Sequence, residues 1–122
     1  MQDHLCDFSS NLKVAVVRRK SSVLLVKTKL IYEICKVFYL NGYISGLRVF
    51  HNHIEIYLRY HSGLPVLKLS QVSKRSKRVF YNKKKLQFML NHSNYLILSS
   101  KGPVLCTLGS KPIVGGEVLY KF

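Results

Sequence analysis

The chain has 122 residues, 48% of them hydrophobic, with 20 Lys+Arg against 5 Asp+Glu and a formal net charge of +15. That length allows one compact domain or two very small lobes, the apolar content excludes a disordered chain, and a charge of this size repels itself unless a polyanion neutralises it. Three scattered cysteines without C-x-x-C spacing (Cys6, Cys35 and Cys106) give no support to a disulfide scaffold or a zinc site and point to a reducing compartment, and no apolar run approaches the ~20 residues that span a bilayer.

The first ten residues, MQDHLCDFSS, carry two acids and no basic residue, unlike a signal or transit peptide. The expectation is a protein made where it works, or one whose targeting segment has been removed. Residues 3–16 read as an amphipathic helix, capped by Asp3, with Leu5, Phe8, Leu12 and Val16 at three- and four-residue spacing. Arg18-Arg19-Lys20 is a basic turn, and Ser22–Val26 a short strand. Thr28 caps a second helix over about 29–41, stopped by Asn41-Gly42, with Lys29, Glu33 and Lys36 on its outer side. Ile44–Phe50 and Ile54–Tyr60 form a hairpin around His51-Asn52-His53. The second strand alternates, putting Ile54, Ile56, Leu58 and Tyr60 inside. His51, His53 and His61 suggest a metal site, but no acidic or thiol ligand completes the set and turn histidines are usually solvated, so no metal is expected.

Ser62-Gly63-Leu64-Pro65 is the strongest boundary signal, dividing a lobe over 1–64 from one over 65–122. Val66–Leu69 reads as a strand, Gln71–Lys77 as a basic loop and Arg78–Tyr81 as a short strand. Asn82 caps a helix that opens on Lys83-Lys84-Lys85 and runs through Leu86, Met89 and Leu90. Three lysines in a first turn oppose the helix dipole, which makes sense beside a phosphate, or else marks a poorly optimised exposed turn. Tyr95–Leu98 is a buried strand, followed by the loop Ser99-Ser100-Lys101-Gly102. Val104–Leu108 is a further strand, Gly109–Pro112 a turn, and Val118–Phe122 the closing strand. Gly115-Gly116 either admits another backbone closely or forms a bulge. The fold class expected is α+β: two small α/β lobes packed together, an αβαββ-like N-terminal lobe and a mainly β C-terminal lobe with one helix.

No acidic residue lies between Glu55 and Glu117, while Lys68, Lys74, Arg75, Lys77, Arg78, Lys83, Lys84 and Lys85 fall within residues 68–85. Segregated charge of this kind is the footprint of nucleic-acid binding. Hydroxyls, a lysine and a glycine in the 99–102 loop suit phosphate and ribose contacts. The candidate RNA-binding residues are Ser99, Ser100, Lys101, Gly102, Lys74, Arg75, Lys77, Arg78, Phe80, Lys83, Lys84 and Lys85, with Lys27 and Lys29 from the first lobe. Phe80 or Tyr81 either stacks on an unpaired base or packs into the core. An enzyme reading fails on inventory. Ser100 and Lys101 are adjacent and so point apart in a strand, and no carboxylate lies nearby in sequence to orient a base. No cofactor, small-molecule substrate or membrane partner is expected.

The ordered set of motifs resembles the family of small-subunit ribosomal protein eight over nearly the whole chain. Asp3 and Asp7 fit the family's D-x-x-x-D opening, and Asn41-Gly42-Tyr43-Ile44 its helix-ending step. Gln71-Val72-Ser73-Lys74 resembles its R-V-S segment, and Val79-Phe80 stands for its V/I-Y pair. Leu98-Ser99-Ser100-Lys101-Gly102 takes the place of S-T-S-K-G, and Gly115-Gly116-Glu117 follows at the family's spacing. The sequence departs from the pattern at Arg75-Ser76, which replaces P-G. It departs again at Leu105-Cys106 and Leu108–Pro112, where Gly109 and Pro112 argue against the family's short basic helix. The resemblance implies a structural component of the small ribosomal subunit, without catalytic activity. It would bind the central domain of small-subunit rRNA, support platform assembly and touch neighbouring small-subunit proteins. The scarcity of acids, the Lys/Asn/Tyr/Ile-rich wording and the lost features imply a divergent organellar version, mitochondrial first and plastid second. The alternative from composition is a non-ribosomal basic RNA-binding module.

Overall fold

The computed structural model describes residues 4–74 and 76–122, so Asp3, the expected cap of the first helix, and Arg75, expected on the basic hairpin, lie outside the described residues. The chain divides into two compact units, the first ending at Leu69 and the second running Ser70–Phe122. The architecture is α+β, with helices and strands in the first unit and a mainly β second unit bearing one helix.

The first unit begins with α1 (His4–Val17), β1 (Ser22–Val26), α2 (Lys29–Leu40), β2 (Ile44–Val49) and β3 (His53–Leu58). Phe8, Leu12 and Ala15 of α1 are buried at helical spacing; Ala15 takes the inner place expected of Val16, which is only half-buried. Both helices end in the same way. At α1 the Lys20 N–H donates to Ala15 O and Arg19 N–H to Val16 O, with Arg19 at φ 51°. At α2 the Tyr43 N–H donates to Phe38 O and Gly42 N–H to Tyr39 O, with Gly42 at φ 80°. Each is a left-handed cap that satisfies the last carbonyls, and glycine makes the second one the cheaper. Thr28 Oγ1 accepts from Ile31 N–H at 3.1 Å, as its position predicts, and Ile31, Ile34, Cys35 and Phe38 form the buried face.

β1, β3 and β2 form an antiparallel sheet in that order. α1 packs against β1 and α2 against β2. Val23, Leu25, Ile54, Ile56 and Leu58 are buried, whereas Leu24 and Val26 are 56% and 57% exposed. β1 is therefore an edge strand with apolar side chains in solvent. The single acid of β3, Glu55, accepts from Ser22 Oγ at 3.3 Å and from the Tyr57 hydroxyl at 2.7 Å.

Two expectations fail here. Tyr60 does not continue the buried face of β3. It opens β4 (Tyr60–His61), which pairs with β5 (Leu64–Pro65) around Ser62 (φ 53°) and Gly63 (φ 79°), the paired left-handed geometry of a tight hairpin turn. Val66–Leu69 is not a strand. Leu67 and Leu69 are buried and Lys68 exposed, as a strand would have it, but among the described residues no neighbouring strand pairs with them.

The second unit contains β6 (Ser70–Gln71), β7 (Phe80–Tyr81), α3 (Lys83–Met89), β8 (Tyr95–Ser99), β9 (Gly102–Cys106) and β10 (Gly116–Lys121). The sheet runs β6-β10-β8-β9, all antiparallel, with β7 also on β10. Leu86 and Leu90 of the helix region pack on Tyr95, Ile97, Cys106 and Val118. Burial pushes the Cys106 thiol up, as it does the Cys35 thiol, which rises to about 12. Residues 107–115 form neither helix nor strand: Gly109 and Pro112 predict the missing helix, whereas the strand expected over Val104–Leu108 starts at Gly102 and stops at Cys106, where its pairing with β8 ends. Gly109 sits at φ 76° and its N–H donates to Leu90 O, while Leu108 N–H donates to Asn94 Oδ1 at 2.5 Å.

Candidate nucleic-acid interface

The site grows from one end of the second sheet. β8 and β9 are joined by a two-residue turn, since Ser99 pairs with Gly102 and leaves Ser100-Lys101 at the apex. Gly102 holds φ 109°, a conformation open to glycine and strained for other residues. The two serines do different work. Ser99 is buried; its Oγ donates to Gly102 O at 3.0 Å and accepts from Lys101 N–H at 3.2 Å. Ser100 and Lys101 are exposed. One hydroxyl shapes the turn and the other faces solvent.

Lys83, Lys84 and Lys85 occupy the first turn of α3, all exposed. Asn82 Oδ1 accepts from Lys85 N–H at 2.8 Å, the expected cap. Lys85 Nζ lies 4.9 Å from the Tyr81 ring centroid, and Tyr81 meets Tyr95 edge to face at 5.9 Å. Tyr81 therefore belongs to the core, while Phe80 beside it is 66% exposed. Of the two rings, Phe80 is the exposed one.

Gly115 and Gly116 join these pieces. A Cβ on Gly115 would overlap Tyr81 O and the Asn82 backbone, and one on Gly116 would overlap Leu98 O and crowd Ser99 Cα. The close-approach reading of this pair holds; the sheet's irregularity lies further on, between Val118 and Tyr120. With no side chain between them, the backbone entering α3 and the backbone entering the Ser100 turn both lie against the start of β10. The lysines and the turn thus share one edge.

Lys74 and Lys77 pair through Lys74 N–H to Lys77 O (2.8 Å) and Lys77 N–H to Lys74 O (3.0 Å), an isolated antiparallel bridge. Ser73 clamps its base, accepting from Val79 N–H at 2.9 Å and donating to Val79 O at 3.2 Å. Arg78 Nη1 donates to Glu117 Oε2 at 2.9 Å. The sequence reading missed this partner of Arg78; the signal was that Glu117 is the sole acid after Glu55. Lys27 and Lys29 stand in the first unit, lining an open cleft with Thr28, Tyr32, Val49 and His51. Among the described residues no three His, Cys, Asp or Glu side chains come together as metal ligands, and no helix is long and apolar enough to cross a membrane.

This edge can bind a polyanion through its cations, a projecting hydroxyl and one exposed ring. Comparison with known proteins agrees in kind. The family described as "Ribosomal protein S8" matches residues 3–122. Among curated proteins, "Small ribosomal subunit protein uS8" of Paracoccus denitrificans is 33% identical, the match covering 98% of this chain and 96% of the relative. The protein of the same name from Caulobacter vibrioides is 35% identical, over 99% and 97%. That of Afipia carboxidovorans is 32% identical, over 97% and 95%.

Proposed function

The chain belongs to the ribosomal protein S8 family, a structural and non-enzymatic component of the small ribosomal subunit whose members bind rRNA, and from that premise we propose that the β8–β9 turn and the start of α3 are its RNA-binding edge. The observation that carries the reading is the diglycine contact, which puts Ser100-Lys101 and Lys83–Lys85 at one end of one sheet. Helical RNA offers a wide, shallow minor groove lined with 2′-hydroxyls. The two-residue turn is narrow enough to enter it. Ser100 bonds a 2′-hydroxyl or a base edge, and Lys101 reaches a phosphate. Ser99 and Gly102 hold the turn's shape. Phe80 stacks on an unpaired base. Lys74, Lys77, Arg78 and Lys83–Lys85 hold phosphates without reading sequence. Lys27 and Lys29 add contacts from the first unit.

The RNA is the central domain of small-subunit rRNA, the process is assembly of the platform, and further contacts run to neighbouring small-subunit proteins. The resemblance of the serine loop and the G-G-E step supports this. The scarcity of acids, the Lys- and Tyr-rich composition and the lost helix at residues 107–115 support an organellar, mitochondrial setting. Crosslinking in native extract with sedimentation tests all of it. Crosslinks to the central domain in small-subunit fractions of mitochondria are the expected result. Crosslinks spread over many RNAs in light fractions refute the ribosomal assignment of this edge, and co-purification with cytosolic subunits refutes the organelle.

A further inference from the structure

Glu117 is the only acid among residues 56–122, and it is buried on β10 beside the edge read above as RNA-binding. Its residue is 8% exposed. Desolvating a carboxylate and placing it near phosphates both cost free energy, so its presence needs a compensating interaction. On β10 it lies directly opposite Phe80 of β7 on one side and Leu98 of β8 on the other. Opposed residues share a face, so the carboxylate lies in a row between the exposed ring and the strand that leads into the Ser100 turn. Arg78, two residues before Phe80, reaches it at 2.9 Å, and the Arg78 side chain is still 48% exposed. Held to Glu117 through one nitrogen, the guanidinium is tethered beside the sheet, and the rest of its N–H donors take no part in that contact.

We propose that Glu117 is a positioning residue for RNA binding, holding the Arg78 guanidinium so that it and Phe80 engage the same RNA segment as the Ser100-Lys101 turn. The inference rests on the RNA-binding reading above. It differs from a charge effect, because removing a negative charge from a cationic surface should by itself tighten RNA binding. It differs from a fold effect, because Arg78 holds a phosphate without reading sequence but is aimed at the segment that only structured rRNA presents to Phe80 and the turn together, so the cost falls there and not on any duplex.

The test measures affinity of the full-length chain for a transcript of the central domain of its own small-subunit rRNA and for a generic RNA duplex of equal length. Thermal unfolding is followed on the same samples. Glu117→Gln is expected to weaken rRNA binding about tenfold, equivalent to about 1.4 kcal/mol, and to leave the generic duplex bound as well or better. Arg78→Lys, which keeps the charge and loses the fork, is expected to match it, and the double variant to be no worse than Arg78→Lys alone. Equal or tighter rRNA binding by Glu117→Gln overturns the proposal, as do losses that add in the double variant. Should Glu117→Gln fail to fold, Arg78→Lys decides: a selective loss on rRNA supports the proposal, and an equal loss on both RNAs overturns it. A wild-type chain that binds the two RNAs alike overturns the RNA-binding reading first, and this inference with it.

Discussion

The two units carry the same number of cations and use them in opposite ways. Each has ten Lys or Arg, but residues 1–69 hold four acids and residues 70–122 hold one. In the first unit charge is dispersed over element ends: Arg18–Lys20 after α1, Lys27 and Lys29 around the α2 cap, and Glu55 satisfied by Ser22 and Tyr57. In the second unit the lone acid is spent on Arg78, and lysines gather at one end of one sheet. The helices differ likewise. α2 buries four side chains over twelve residues, while α3 has seven residues and buries Leu86 alone. α3 is held by its Asn82 cap and by packing, against the electrostatics of its own first turn. Total charge says that a chain meets a polyanion; segregation of charge against structure says where.

The largest effect expected from breaking this arrangement comes at the diglycine. Gly116→Ala puts a methyl into the Leu98 backbone and should cost about 3 kcal/mol, the upper range for overpacking. Gly46→Ala in the first unit meets only the Tyr57 ring, at 3.1 Å, which can turn aside, and should cost well under half as much. Denaturant unfolding of both variants checks the ranking; comparable losses would remove the diglycine from its special place.

Next is the charge itself. Neutralising Lys83, Lys84 and Lys85 together should reduce the salt dependence of RNA binding by up to about three phosphate contacts, whereas neutralising Arg18, Arg19 and Lys20 should reduce it by less. A plot of log affinity against log salt for the two triple variants separates them, and equal slopes would erase the contrast between the units.

The serines split more finely. Ser100→Ala should cost about 1–3 kcal/mol of RNA affinity and leave folding stability unchanged. Ser99→Ala should cost about 1 kcal/mol of stability by orphaning two turn hydrogen bonds. Titration calorimetry paired with thermal unfolding reads both, and the reverse pattern would exchange their roles.

The smallest effect lies in the first core. Cys35 ionises at about 12 in the fold against an ordinary value of 9.0, because burial disfavours the thiolate. Above pH 9 the unfolded chain therefore holds fewer protons than the folded one, and stability falls as pH rises from about 9 towards about 12. The Cys35 share should reach about 1 kcal/mol by pH 10. Unfolding at pH 8 and pH 10 should show a steeper decline for wild type than for Cys35→Ala; parallel declines would show that the thiol ionises without penalty.

Legibility in the sequence followed how local each cause was. Thr28, Asn82 and Gly42 act within one turn of their own helices, and each stood where its residue type predicts. β1 matched its apolar run residue for residue, but its exposed alternate side chains did not announce themselves, because an apolar strand reads the same with one face covered or two. Val66–Leu69 alternates like a strand, but beyond the Val66 N–H bond to Arg59 O no described strand pairs along it, and partners are set elsewhere in the chain. At the candidate site the residue types were readable and their roles were not. Ser99 turns inward because it pairs with Gly102, Tyr81 because it abuts Tyr95, and Gly115-Gly116 meets two backbones more than fifteen residues away. Glu117 was quoted as part of a motif, with no sign that Arg78 would lie against it.

The open edge of the first sheet bears on the life of the chain before assembly. Among the described residues β1 pairs with β3 alone, which leaves one side of Ser22–Val26 without a strand, with Leu24 and Val26 exposed and no lysine or proline inside the strand to blunt it. Edges of that kind recruit other edges, and what holds free copies apart is mutual repulsion at +15. Salt that loosens the grip on RNA also shortens the range of that repulsion, to about 8 Å at physiological ionic strength. A chain stripped from its RNA by high salt is thereby delivered into the medium in which it self-associates most readily, so purification by salt wash should yield aggregates that a low-salt release does not.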